Sequence, residues 1–238
     1  MFKKIVMIPL FLITFANSIE VPTSVESIMG VTQEKKEDIK NDRKVYSELI
    51  SKLSESYDSE YSLYLATIYL NGISEKDDEG KIVEQDIKKS IKYFEKSINL
   101  NNFKSSAMLG SLYLFDSRFD KEENKIKKAK YYLNLAFKNG IYEASTALSS
   151  IYFYYEKNTK KGMEILYSGV DHNNSGAQLT LAVLYASGSK ELKVSKNILL
   201  ADSFLEKACL NKKKIKKVEK FCSSDKVLNY KKNEVNKK

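Results

Sequence analysis

The eight residues Leu65-Ala66-Thr67-Ile68-Tyr69-Leu70-Asn71-Gly72 set a frame that the chain repeats three more times. It returns as Leu109-Gly110-x-x-Tyr113-x-x-Asp116, Leu148-Ser149-x-x-Tyr152-x-x-Tyr155 and Leu181-Ala182-x-x-Tyr185-x-x-Gly188, with the leucines 44, 39 and 33 residues apart. Each copy is followed by a second pattern: Lys89-Ser90-x-x-Tyr93-x-x-Lys96-Ser97, Lys128-Ala129-x-x-Tyr132-x-x-Leu135-Ala136, Lys161-Gly162-x-x-Ile165-x-x-Ser168-Gly169 and Leu200-Ala201-x-x-Phe204-x-x-Lys207-Ala208. Spacings of three and four place these positions on one helical face, so each unit reads as two helices. One helix pair alone leaves an apolar face bare, and stacking the pairs covers it, which is the logic of a solenoid. Small residues beside the leucine (Ala66, Gly110, Ser149, Ala182) and in the partner helix (Ser97, Ala136, Gly169, Ala208) let the two helices approach. The tyrosine and the position held by Tyr93, Tyr132, Ile165 and Phe204 fill the wider gap above them.

Outward from this frame, Tyr46, Leu49, Leu53, Tyr57 and Tyr61 step by three or four into Leu65, so residues 37–58 read as an amino-terminal cap helix ahead of a 59–211 repeat region. Helix-to-helix turns fall at Asn101-Asn102, Asn139-Gly140 and Asn173-Asn174, residue types that tolerate left-handed backbone at a helix end. Residues 212–238 read as a carboxy-terminal cap helix and lysine-rich tail. The composition agrees: 42% hydrophobic residues exclude a disordered chain, and two prolines, both before residue 23, with nine glycines give too little punctuation for many short strands. The expected fold class is all-α.

The formal charge of +9 suggests nucleic acid until it is located. Residues 207–238 hold twelve lysines against Glu219, Asp225 and Glu234, a surplus equal to that of the whole chain, so the body is neutral. With no arginine-rich or aromatic-interleaved basic groove, nucleic acid is not an expected partner. Residues 1–18 read as a secretory signal: Lys3 and Lys4 precede the apolar run Ile5–Phe15, and Ala16-Asn17-Ser18 places small residues for cleavage before Ile19. The run is too short to span a membrane, and no cysteine near the cleavage point offers a lipid anchor. Residues 19–36 would form a flexible leader, and the expected location is periplasmic or secreted.

The paired motifs resemble the Sel-one-like repeat family, a branch of the tetratricopeptide-like solenoids, over residues 59 to 211. The family pattern is leucine-glycine, tyrosine, glycine, a loop with an aspartate, lysine-alanine, an aromatic, and a second lysine-alanine. Four in-phase copies carry the resemblance; the third departs with Gly162 and Gly169 for alanine, and the loops lack the usual glycine-valine. The resemblance implies a right-handed α-α superhelix of about four helix pairs between cap helices. Cysteine-rich members tie the end of one repeat to the next helix with a disulfide. Cys209 and Cys222, the two cysteines, match that arrangement with a longer gap, and two unpaired thiols in a cytosolic protein are the competing reading.

Chemistry finds little foothold. His172, the one histidine, lies in a turn beside Asp171, which cannot readily orient its ring, and no Gly-x-Ser-x-Gly elbow accompanies it. Two cysteines and a histidine fall short of four zinc ligands. Glu75 to Asp86 places acids at loop positions 1, 3, 5 and 12 and Gly80 at 6, as a calcium loop would. Glu75 and Asp86 are each the wrong acid for their place, and a solvated acidic loop is the favoured reading. No cofactor and no enzymatic activity are expected.

Surface remains. Leu70, Leu114, Phe153 and Ala186, five residues after each repeat leucine, are candidates for an apolar stripe along a concave groove, with Thr67, Ser111, Ser150 and Val183 beside them; packing between successive first helices is the competing reading. The expected function is an exported scaffold that binds a protein or peptide in that groove. The resemblance adds two alternatives, an immunity protein neutralising an exported toxin and a cell-wall or β-lactam hydrolase. Mass spectrometry of the native protein should find a chain that starts at or next to Ile19 in the periplasmic or secreted fraction; an intact Met1 in the cytosol overturns the export reading.

Overall fold

The computed structural model of the protein describes residues 43–74, 81–211 and 222. The signal and leader segments, most of the acidic loop and nearly all of the carboxy-terminal segment read from the sequence lie outside the described residues.

Helix α1 (Arg43–Glu55) precedes four helix pairs: α2 (Ser59–Asn71) with α3 (Ile87–Asn99), α4 (Phe103–Phe115) with α5 (Lys125–Lys138), α6 (Ser145–Ser150, continued by a π-turn over Ile151–Tyr155) with α7 (Thr159–Asp171), and α8 (Ser175–Ser187) with α9 (Ile198–Leu210). Each helix packs chiefly on its own partner, and α3, α5 and α7 each pack on the first helix of the next pair. The chain is an all-α solenoid. Among the described residues, strand pairing is limited to a ribbon of β1 (Ile73–Ser74) and β2 (Lys81–Val83), which closes the base of the acidic insertion, and a single bridge between Ser189 and Val194.

The sequence frame is also a hydrogen-bonding frame. At each turn between pairs the chain enters left-handed backbone, at Asn101 (φ 64°), Gly140 (φ 81°) and Asn173 (φ 57°). The next amide then reaches back to the small residue of the second helix: Asn102 N–H to Ser97 O at 3.0 Å, Ile141 to Ala136 at 3.0 Å, and Asn174 to Gly169 at 2.8 Å. The left-handed residues donate to Ile98, Phe137 and Val170, which completes the two-bond Schellman closure in all three turns.

The repeat tyrosine is held in two ways, both of them in the first and last pairs and one of them in each middle pair. Its carbonyl accepts the amide of the residue that caps the second helix: Asp86 N–H to Tyr69 O, Asn158 to Tyr152 and Asn197 to Tyr185, each at 2.8 Å. The capping side chains Asp86, Asn158 and Asn197 in turn accept from Lys89, Lys161 and Leu200 amides. Its ring stacks on the partner helix: Tyr69 on Tyr93 (5.6 Å, 3°), Tyr113 on Tyr132 (5.9 Å, 2°) and Tyr185 on Phe204 (6.0 Å, 9°).

The small residues work in two separate contacts rather than as one pair. Ser90 Oγ donates to Ala66 O at 2.7 Å, and a Cβ on Gly110 would stand 2.7 Å from the Leu133 side chain and 3.1 Å from Ala129 O, so the residue beside the leucine meets the start of the second helix. Ser97 instead donates to Ser59 O and bonds Ser105 Oγ, and a Cβ on Gly169 would stand 2.4 Å from Ser145 Oγ and 2.8 Å from the Ala177 Cβ. This position meets the beginnings of two successive first helices and is where the stack is pinned.

The third pair shows why it departs from the pattern. Ile165 offers no ring to Tyr152, and a Cβ on Gly162 would stand 2.3 Å from the Phe153 ring, which occupies that space. The π-turn advances the chain to a link of only residues 156–158, where the other pairs use 72–86, 116–124 and 188–197. Between the first two pairs, Arg118 forks onto Asp116 (Nη2–Oδ2 2.7 Å) and donates from Nη1 to Leu70 O at 2.6 Å, tying the second link to the end of α2. Burial opposes ionisation of Asp116, but the Arg118 hydrogen bonds and charge outweigh it and hold the carboxyl below its ordinary value.

Two substitutions test this packing. Tyr113→Ala should cost ~3 kcal/mol or more in a denaturant melt, as for a buried aromatic. Gly162→Ala should cost ~1–3 kcal/mol by overpacking, and less in a Phe153→Leu background. Equal costs in both backgrounds would show that the ring contact is not what demands glycine.

Candidate functional site

Leu70, Leu114 and Phe153 are 6%, 5% and 2% exposed, and belong to the two buried clusters that run through the stack. They are core, which corrects their expected place on an open groove. The reason is angular. At about 100° per residue, five residues beyond the leucine is about 140° round the helix, on the flank of the packed face rather than behind it. Ala186, with no described repeat after it, keeps a half-buried side chain.

Two residues beyond the leucine is about 200°, which does lie opposite the second helix. Thr67 and Val183 are half-buried there, while Ser111 and Ser150 are buried. Thr67 and Ser150 hydroxyls donate to the carbonyls of Tyr64 and Thr146, whereas Ser111 Oγ is buried with no hydrogen-bond partner. The same face of α4 continues through Lys104, Met108 and Phe115: Lys104 is exposed, and Met108 and Phe115 are partly open beside the core. Glu60 and Asn71 on α2, and Glu143 with Tyr154 in the third pair, extend it to either side. Met108, Phe115 and Tyr154 could have been found by stepping three residues back from Ser111 and four on from Ser111 and Ser150 along that face.

On the other side of the pairs, α3 and α5 flank an open pocket of about 450 Å³ lined by Lys88, Ile91, Glu95, Lys127, Tyr131 and Tyr132, together with Tyr113, Glu122 and Lys128. Tyr132 Oη donates to Glu95 Oε1 at 2.7 Å, and Lys128 Nζ pairs with Glu122 at 2.9 Å and lies 5.2 Å from the Tyr113 ring centroid, as Lys89 Nζ lies 5.1 Å from that of Tyr69. Burial and the Glu95 carboxylate push the Tyr132 hydroxyl far above the ordinary tyrosine value. Sequence reasoning missed this pocket, because Glu95 and Tyr131 fall outside the repeat frame.

The remaining candidates are structural. His172 stacks on Tyr142 (3.5 Å between ring centres) and its Nδ1 lies 2.8 Å from Ser168 O. Asp86 caps α3, residues 75–80 of the acidic loop lie outside the described residues, and among the described residues no three His, Cys, Asp or Glu side chains gather as an ion site. Cys209 and Cys222 form a disulfide with Cα atoms 5.7 Å apart, and Cys222 packs with Leu179, Val183, Leu205 and Ala208 on the open end of the last pair. Among the described residues no helix is long and apolar enough to cross a membrane.

Two solved structures share this architecture. A Sel1 repeat protein from Oxalobacter formigenes superposes with a TM-score of 0.57 at 18% identity, over 73% of this chain and 64% of that one. The fold is a Sel1-repeat solenoid. A protective antigen present in uropathogenic Escherichia coli strains, described as displaying an SLR fold, aligns with a TM-score of 0.51 at 22% identity over 68% of this chain. The chain spans 64% and 32% of these two proteins' lengths. No protein-family model matches the sequence, and no curated protein does.

Two hydrogen-bonded tyrosines make an alkaline prediction. Burial, then the Tyr185 hydroxyl 2.7 Å away, push Tyr167 up to about 12, and Tyr132 is raised further in direction. The folded state therefore holds these protons more tightly than the unfolded chain, whose tyrosines ionise near 10. The stability they contribute is complete below pH 10 and is lost as pH rises through about 12. Melts across that range should show the loss, and Tyr132→Phe with Tyr167→Phe should flatten it; tyrosinate absorbance that titrates wholly near 10 would contradict the assignment.

Proposed function

We propose that the protein is an exported, non-enzymatic scaffold that binds a protein or peptide along the inner face of its first helices. The observation that carries this reading is the partly open apolar pair Met108 and Phe115 on α4, at the middle of the stack and flanked by Lys104. Apolar anchors ringed by polar groups are where binding energy concentrates. The helices that present them are fixed by Schellman turns and stacked tyrosines, so association costs little ordering of the scaffold. Thr67 extends the face at a half-buried position, and the buried Ser111 and Ser150 form its floor; at the far end Val183 packs with Cys222, and Ala186 lies on the flank. Export is supported by the amino-terminal signal pattern and by the Cys209–Cys222 disulfide, a bond that persists in oxidising compartments.

A photo-crosslinking amino acid placed at Met108 or Phe115, in cells producing the chain with its own amino terminus, should trap the same partner from both positions. The same probe at Lys160, exposed on α7, should trap none. Met108→Glu should weaken the Phe115 crosslink about tenfold or more while the helical spectrum is kept. Crosslinks that form from Lys160 but from neither inner position would overturn the groove.

A further inference from the structure

We propose that the pocket between α3 and α5 docks a short, extended acidic peptide segment of a partner protein, with one side-chain carboxylate bridging Lys88 and Lys127. This site is separate from the inner face and does not depend on it: it opens between second helices, behind the tyrosine stacks.

Its charges select the ligand. Lys128 is already neutralised by Glu122, and Lys130 and Lys125 pair with Glu156 and Asp120. Lys88 and Lys127 reach the pocket from opposite walls and pair with no acid among the described residues. Two free ammonium groups facing one space repel each other and favour an anion between them. Glu95, exposed two turns along α3 from Lys88, opposes an anion at its own end of the pocket, and Tyr132 fixes it in place by donating to Oε1, which leaves Oε2 for a donor. A ligand therefore has to present an anion toward the lysines and a hydrogen-bond donor toward Glu95. An acidic residue in an extended chain carries both, since its own backbone N–H lies a few bonds from its carboxylate. Ile91 and the 63%-exposed Tyr131 ring supply apolar walls for the methylenes between them. The pocket, about 450 Å³, is largely open to solvent, so an extended segment can lie along it.

The test is fluorescence anisotropy on the full chain with a fluorescein-labelled Gly-Glu-Asp-Glu-Gly peptide and its Gln/Asn counterpart. The acidic peptide should bind, with its amide counterpart weaker by about tenfold or more. Lys88→Glu with Lys127→Glu should weaken binding by a similar factor, and Lys88→Gln with Lys127→Gln should do so without reversing charge. Lys138→Glu with Lys160→Glu, exposed lysines off the pocket, changes net charge equally and should leave affinity within about twofold. Equal loss in this control would reduce the effect to the overall field and overturn the site. So would equal affinity for the amide peptide, or displacement by digalacturonate at lower concentration than by unlabelled acidic peptide, which would make the ligand an anionic sugar. Both pocket variants alter exposed side chains, and a melting temperature matching wild type shows that any loss is of binding.

Discussion

The repeat tyrosine is the residue through which each helix pair is closed. Its carbonyl takes the amide at the start of the second helix in three pairs, and its ring lies flat on the second helix in three. The backbone bond sets where the second helix begins, and the stack sets how far away it runs. Because the two constraints act at one residue, the link between helices can vary in length without moving either helix. The links at 72–86 and 156–158 differ severalfold, yet both end with the same 2.8 Å bond onto a tyrosine carbonyl. In the second pair, where the cap residue Asn124 adopts φ 56° and makes no side-chain cap, the ring stack remains and Phe119 packs edge-on to Tyr113 from the link.

The third pair shows what happens when half of that arrangement is missing. Ile165 cannot stack on Tyr152, and Lys130 of the preceding pair covers the ring instead, 4.9 Å from its centre, while also pairing with Glu156. Phe153 turns into the space left over Gly162, and the π-turn that delivers it also shortens the link. Glycine at 162 and isoleucine at 165 are thus one compensated change. Each would be costly without the other, the glycine as a void and the isoleucine as a lost stack.

The fold was legible because it is written in what repeats: leucine, small residue and tyrosine at fixed spacing, and asparagine or glycine where the backbone turns left-handed. The disulfide was expected only through the resemblance to cysteine-rich members of the family, against a reading with two unpaired thiols, and Cys209 and Cys222 do form it. The surface was not, for a geometric reason. Leu70, Leu114 and Phe153 share a spacing as regular as that of the core leucines, and spacing alone does not distinguish the flank of a packed face from its back. Adding the angles does: the flank is covered by the neighbouring pair in a stack, and only the residues about 200° from the leucine stay behind it. Glu95 and Tyr131 were invisible for the opposite reason. They belong to no repeated position, so nothing in one sequence singled them out before α3 and α5 brought them to one pocket.

The two faces differ because different constraints act on them. The turns between pairs are nearly invariant, with the same two hydrogen bonds in each, so successive first helices stand in fixed phase. Small residues such as Ser97 and Gly169 at those turns draw the first helices so close that the inner face is left with hydroxyls and a few half-open apolar side chains. The second helices are spread by the stacked rings between them and their partners, and the space between α3 and α5 opens into a pocket that charged side chains can line. The contour of the first-helix face is thereby set by the backbone. The second-helix face is set by side chains, and lysines and glutamates there can change without disturbing the core.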